Sequence, residues 1–166
     1  MRHEEPLKLK WSHVDLRANL IRMPGHGAAR IVKERCDRRV PISWELRQVL
    51  LELKEERVRT GVRNHDYVFI RENGARIRDI SRAWELALKR AQITDRRPHD
   101  FWRTRITAWT DAGVQTEAVK WWSGHKDSSV HGNYVIVTDE MVIKQFREQG
   151  WLLPPSERKQ QTAVAG

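Results

Sequence analysis

The chain has 166 residues, with 31 lysines and arginines against 22 aspartates and glutamates, for a formal net charge of +9. This length suits one domain, and an apolar share of 39% excludes wholesale disorder. The single cysteine, Cys36, excludes an internal disulfide and a cysteine-built zinc site, and no apolar run is long enough to span a membrane or to form the core of a signal peptide. The excess of cations points to a polyanionic partner, nucleic acid ahead of an acidic membrane. A lone thiol fits a reducing cytoplasm.

In chain order, residues 4–11 place Leu7 and Trp11 four apart, which predicts a short helix with one buried face. Residues 12–17 are polar and turn-like. Residues 19–23 predict a strand, broken by Pro24-Gly25-His26-Gly27. Residues 29–33 and 38–42 predict two more strands around a polar turn, so residues 19–42 are expected to form a small antiparallel sheet. A strong helix follows, with Ser43 as its N-cap and Leu46, Val49, Leu50 and Leu53 as its apolar stripe. After a loop over 61–66, residues 67–70 predict a strand that ends at an Asn73-Gly74 turn. Residues 79–91 are helical, with Ile80, Ala83, Trp84, Ala87 and Leu88 on one face. A charged break over 94–98 precedes four helices, at 99–112, 115–122, 128–135 and 139–149. Gly113, Gly124 and Thr138 punctuate them. No internal repeat is present. The class is α+β, mostly α, with one small antiparallel sheet near the N-terminus.

Few residues offer chemistry. Tyr67 falls inside the apolar run Tyr67-Val68-Phe69-Ile70 and reads as a packing residue. Tyr134 lies nine residues after His125 and, taken alone, also reads as packing. His99 follows Pro98, and His125 follows Gly124. They are 26 residues apart with no acidic cluster beside either, so no metal site is expected and no cofactor is implied. His3, His13, His26, His65 and His131 stand in polar surroundings and are assigned to the surface.

Taken together, these residues form an ordered set. Residues 98–137 resemble the C-terminal half of the catalytic domain of tyrosine recombinases, the phage integrase family. That family has a His-x-x-Arg box, then a Gly-His pair, then a nucleophilic tyrosine. The counterparts are His99, Gly124-His125 and Tyr134, at the family's spacings. Upstream, Arg2 resembles the family's first catalytic arginine, with Glu5, Leu9, Trp11 and Asp15-Leu16 in register. Lys33, ahead of Arg38-Arg39-Val40-Pro41, resembles the lysine of the family's β-hairpin. Val68-Phe69, Gly74 and Trp84 also match. The resemblance covers about residues 1–149. It implies a partial tyrosine-recombinase catalytic domain over 1–149, and residues 150–166 read as a mobile tail with two prolines.

The resemblance implies strand breakage and rejoining of double-stranded DNA for site-specific recombination or integration. Tyr134 would attack the scissile phosphorus and form a 3′-phosphotyrosine, which keeps the bond energy for religation. Arg2 would pair two phosphate oxygens through its planar fork, and His99 and His125 would donate hydrogen bonds. Lys33 would protonate the departing 5′ oxygen. No metal or other cofactor is called for. The resemblance implies a setting in the prokaryotic cytoplasm, on the nucleoid, and a homo-oligomer, the synaptic tetramer, on DNA.

Two departures weigh on activity. The second catalytic arginine of the box is Trp102, whose indole has one neutral donor and cannot make a bidentate phosphate contact. Losing one such donor costs on the order of 10²–10³ in rate. By helical period, Arg105 lies nearer the face of Trp102 than Arg103 does. The chain also starts at the first catalytic arginine, with Glu4 where the family has glycine. The expectation is therefore a truncated recombinase whose activity Trp102 puts in question. The alternative is a non-catalytic DNA-binding remnant or regulator derived from an integrase.

Overall fold

The computed structural model describes residues 4–25, 27, 31, 37–62, 66–124 and 138–161, the last three by their backbone alone. Strand β1 (Val14–Asp15) pairs antiparallel with β2 (Leu20–Met23), and β2 pairs antiparallel with β3 (Arg38–Pro41), in the order β1-β2-β3. Register sets Ile21 opposite Val40 and Arg22 opposite Arg39. The span 12–17, expected as a turn, contains β1. The turn starts only after Asp15, whose carboxylate accepts from the Ala18 and Arg17 backbone N–H groups at 2.8 and 3.1 Å. Those bonds, with Arg22 beside it, hold the Asp15 carboxyl below the usual carboxylate range.

Helix α1 (Trp44–Thr60) is capped by Ser43, whose hydroxyl accepts from Leu46 N–H at 3.3 Å. Helices α2 (Ser81–Arg90), α3 (Pro98–Asp111), α4 (Thr116–Ser123), α5 (Asp139–Glu148) and α6 (Pro155–Gln161) follow. The expected class, helical with a small antiparallel sheet, is the one found. Side chains alternate across β2, and two cores result. Ile21, Met23 and Val40 join Leu9, Ile42, Leu50 and Val68, with Leu46 and Leu53 of α1 packed against them. Leu20 joins a second cluster with Trp109, Trp122, Val142 and Phe146, built from α3, α4 and α5.

The second cluster accounts for much of the tryptophan content. Trp122 is completely buried, edge-on to Trp109 and Phe146 with ring centroids 5.1 and 5.0 Å away. Its indole N–H donates to the Val142 carbonyl at 3.1 Å, so the polar handle of a buried tryptophan is satisfied. Trp151 packs on Phe146 at 4.9 Å, and its carbonyl accepts from Trp44 N–H at 2.9 Å. Arg158 of α6 pairs with Glu45 at 2.7 Å. Residues 151–158, read from sequence as tail, thus hold an aromatic contact, a backbone hydrogen bond and an ion pair to earlier residues.

Other expectations shift locally. The helix expected over 4–11 is two 3-10 turns, Pro6–Lys8 and Trp11–His13, separated where Lys10 turns extended to bridge Tyr67. The strand expected at 67–70 is reduced to isolated bridges, Lys10 with Tyr67 and Ile70 with Arg76. Val49, placed in the α1 stripe, is 46% exposed, while Leu50 of the same stripe is buried. On α2 no residue is buried; Ile80, Trp84 and Leu88 are half-buried and line a groove, while Ala83 and Ala87 face solvent. Of the strand expected at 29–33 only Ile31 is described: it lies outside any strand, is buried in the first core and donates its N–H to the Pro24 carbonyl at 2.8 Å. The rest of that span and the helix expected at 128–135 lie outside the described residues.

Candidate functional site

Helix α3 opens at Pro98, where a missing backbone N–H costs nothing, and Asp100 accepts from Arg97 N–H at 2.8 Å to close the first turn. His99 therefore sits in the first turn, exposed. Its imidazole stacks on the Trp102 indole, with centroids 4.9 Å apart and planes inclined by 24°. Phe101 meets Trp84 of α2 edge-on at 5.1 Å, and the Trp84 indole N–H donates to the Arg96 carbonyl at 2.9 Å. His99 lines an open groove of about 970 Å³ that also takes in residues of α2 and of the 3-10 turn Pro6–Lys8. Five cations line that groove: Lys8, Arg76, Arg78, Arg96 and Arg97. A second groove, about 440 Å³ and mainly apolar, holds Trp102, Phe101 and Arg105 on one side. Arg105 shares it with Trp102, as the helical period requires, and Arg103 does not line it.

Arg38 on β3 is the main polar junction of the interior. Its guanidinium pairs with the Glu5 carboxylate, both side chains 5% exposed. It also donates to the Ser123 carbonyl at 3.1 Å. Gly124 follows in the left-handed conformation, φ +77°, and a Cβ there would overlap Arg38 Nη1. The left-handed φ and the crowding each call for glycine. On the opposite side of β3, Arg39 Nε meets Asp139 Oδ1 at the start of α5. Arg22 Nη2 reaches Asp139 Oδ2 at 2.7 Å, and Arg22 Nη1 reaches Asp15 at 2.7 Å. Arg57 of α1 is buried, donates to the Val68 carbonyl at 2.9 Å, and burial pushes its guanidinium below its ordinary value. It fixes the segment that carries Tyr67, which is half-buried as expected, with Arg76 over its ring at 4.7 Å.

Of the predicted site residues, His99 is placed as described. Arg2, Lys33, His125 and Tyr134 lie outside the described residues, as do His3, His26, His65 and His131. His13, assigned to the surface, is half-buried, and its Nδ1 accepts from Lys10 N–H at 3.1 Å. Among the described residues no group of three or more His, Cys, Asp or Glu side chains could hold a metal ion, and no helix is long and apolar enough to cross a membrane. Sequence reasoning missed the structural use of Arg38, Arg39, Arg22 and Asp139. The available signal was two adjacent arginines inside a strand otherwise bound for the core.

The model of the phage integrase family matches residues 1–141. The chain belongs to the phage integrase family. Its fold is shared with a solved integrase, described as the Tn1549 transposon integrase in complex with transposon right end DNA, at a TM-score of 0.60 and 16% sequence identity. The alignment covers 90% of this chain and 55% of that one, so the present chain spans about half the length of that integrase. No curated protein matches the chain. The match at residues 1–141 contains Arg2, Lys33, His125 and Tyr134.

Proposed function

We propose that the chain carries the catalytic part of a site-specific recombinase that breaks and rejoins double-stranded DNA. The family match over residues 1–141, which contains all five motif positions in order, carries this reading. Tyr134 Oη attacks the scissile phosphorus as its proton passes to a histidine of the set, the bond to the 5′ oxygen breaks, and Lys33 gives that oxygen its proton. Arg2, His99 and His125 hold the charge that gathers on the non-bridging oxygens. Religation reverses the step: the 5′ hydroxyl attacks and the tyrosine leaves. The cation-lined groove that includes His99 supports a path for the phosphate backbone. The reaction needs two DNA segments brought together, which favours assembly of several copies on DNA. The proposed setting is the prokaryotic cytoplasm, on the nucleoid.

One observation favours a second reading. The indole of Trp102 covers a face of His99, where the family places a cation. A DNA-binding protein that no longer cuts would keep the basic groove and tolerate this ring. The test is a pool of duplexes with randomised sequence, nicked at varied positions so that the freed 5′ fragment diffuses away. An SDS-stable protein–DNA adduct that Tyr134→Phe abolishes supports the recombinase. Trp102→Arg should raise its yield by on the order of 10²–10³. DNA binding with no adduct, even in Trp102→Arg, supports the second reading.

A further inference from the structure

The two grooves beside α3 share a border, because Leu7, Ile80 and Pro98 line both. Their chemistry differs. The larger carries five cations. The smaller carries one charged side chain, Arg105, and four aromatic rings, those of Phe69, Phe101, Trp102 and Trp109. Its volume, about 440 Å³, falls in the range of sites that take a small ring-bearing ligand, roughly 300–1,000 Å³. Two of its rings are held from the charged side. Phe101, 51% exposed, stands edge-on to Trp84, and Trp84 is fixed by its bond to the Arg96 carbonyl. Trp102 lies against His99. Trp84 and His99 line the charged groove, so each of these two aromatic positions in the apolar groove is coupled to a ring beside the cations. The stacking wall is thus set before any ligand arrives.

A paired duplex presents its phosphates outward and keeps its bases stacked inside. Along these grooves it would meet the cations and leave the aromatic wall in water. An unpaired base meets both, since any base has a π-face for an aromatic ring while its phosphates stay on the backbone outside. An acidic protein segment would also meet the cations. Four aromatic rings and one planar guanidinium among ten lining residues make a wall for stacking rather than an aliphatic cleft. We propose that the apolar groove receives one unpaired DNA base whose backbone follows the cation-lined groove, with Phe101 and Trp102 as the stacking wall. The inference rests on the reading of DNA as the substrate and of the larger groove as its path.

The test uses the full chain and short duplexes that carry one unpaired 5-iododeoxyuridine, beside the same duplexes fully paired. The unpaired form should bind more tightly by about 5- to 100-fold at one fixed salt concentration, the range that a single base–aromatic stack supplies. Phe101→Ala should bring the two affinities close together, and Phe101→Trp should keep them apart. Phe101 is half exposed and Trp84 keeps its bond to Arg96 without it, so the variant folds. Leu86→Ala, on α2 at 49% exposure and outside both grooves, should leave the preference intact. Ultraviolet light should join the iodinated base to Phe101 or Trp102. Equal affinity for the two duplexes, or a crosslink outside the apolar groove, overturns the proposal. Phe101-dependent binding of an acidic peptide of alternating Glu and Leu, with no preference for the unpaired duplex, overturns it in favour of a protein-docking groove. The Tyr134 adduct on nicked duplexes is read separately. An adduct without the preference overturns the base site alone. The preference without an adduct upholds the base site while the recombinase reading falls.

Discussion

Gly124 ends α4 with a left-handed backbone and with Arg38 where its side chain would be. Arg38 cannot swing aside, because Glu5 and the Ser123 carbonyl hold it in a buried site. Gly61 ends α1 at almost the same φ, +76°, with nothing within 4 Å of a Cβ. The pair separates two costs. Gly61→Ala should cost about 1–2 kcal/mol for the left-handed backbone alone. Gly124→Ala should cost about 2–5 kcal/mol, since overpacking adds to it. Urea unfolding of both variants measures the difference; equal losses would mean that Arg38 yields freely. Trp102 makes a complementary point about legibility. Its place in the box is readable from the spacing to His99, and so is the charge it lacks. That its ring lies against His99 is not readable, because stacking depends on rotamers that the helical period leaves open.

The 3-10 turn Trp11–His13 closes through its own histidine, whose Nδ1 accepts from Lys10 N–H. Burial first, and then the nearby Lys10 charge, push the His13 imidazole below its ordinary pKa. A lowered histidine pKa means that the unfolded chain takes up the proton first. The stability from neutral His13 is therefore complete above about pH 6.5 and is lost as pH falls through that value and below it. His13→Asn keeps an acceptor and removes the titration. The urea midpoint of the parent chain should fall more between pH 7.5 and pH 5 than that of the variant. Parallel pH profiles would show that the turn does not depend on the neutral ring. Elements were legible where one rule acted alone. Ser43 before an apolar period marked the start of α1, and the charged break over 94–98 placed that of α3 within one residue. Legibility failed where a distant partner decided. Lys10 is extended because Tyr67 pairs with it, and residues 14–15 are a strand because residues 20–21 return alongside. Trp151 is held by Phe146 and Trp122, which the low apolar content of its own segment conceals.

Charge acts on the whole molecule, but its distribution decides where DNA would lie. The fold was legible as a class, because helix periods and one short sheet are local patterns. The two grooves beside α3 were not, since they form between segments far apart in sequence. The larger one collects Lys8, Arg76, Arg78, Arg96 and Arg97 and includes His99 in its lining. Acidic side chains, Glu4, Asp79, Glu85 and Asp95, also line it, so its cations are spaced rather than massed. A net charge of +9 by itself predicts only that DNA binding weakens with salt. A phosphate path along the groove makes a sharper statement. Each arginine that meets a phosphate releases counterions, and log affinity falls against log salt by about 0.9 per contact. Removing two contacts with Arg96→Gln and Arg97→Gln should therefore flatten the slope by about two. Arg59 on α1, with a side chain 79% exposed and outside the groove, serves as the comparison. Arg59→Gln should leave the slope unchanged. Equal flattening in both variants would show that the cations act as a diffuse cloud, and the groove would lose its standing as the path to His99.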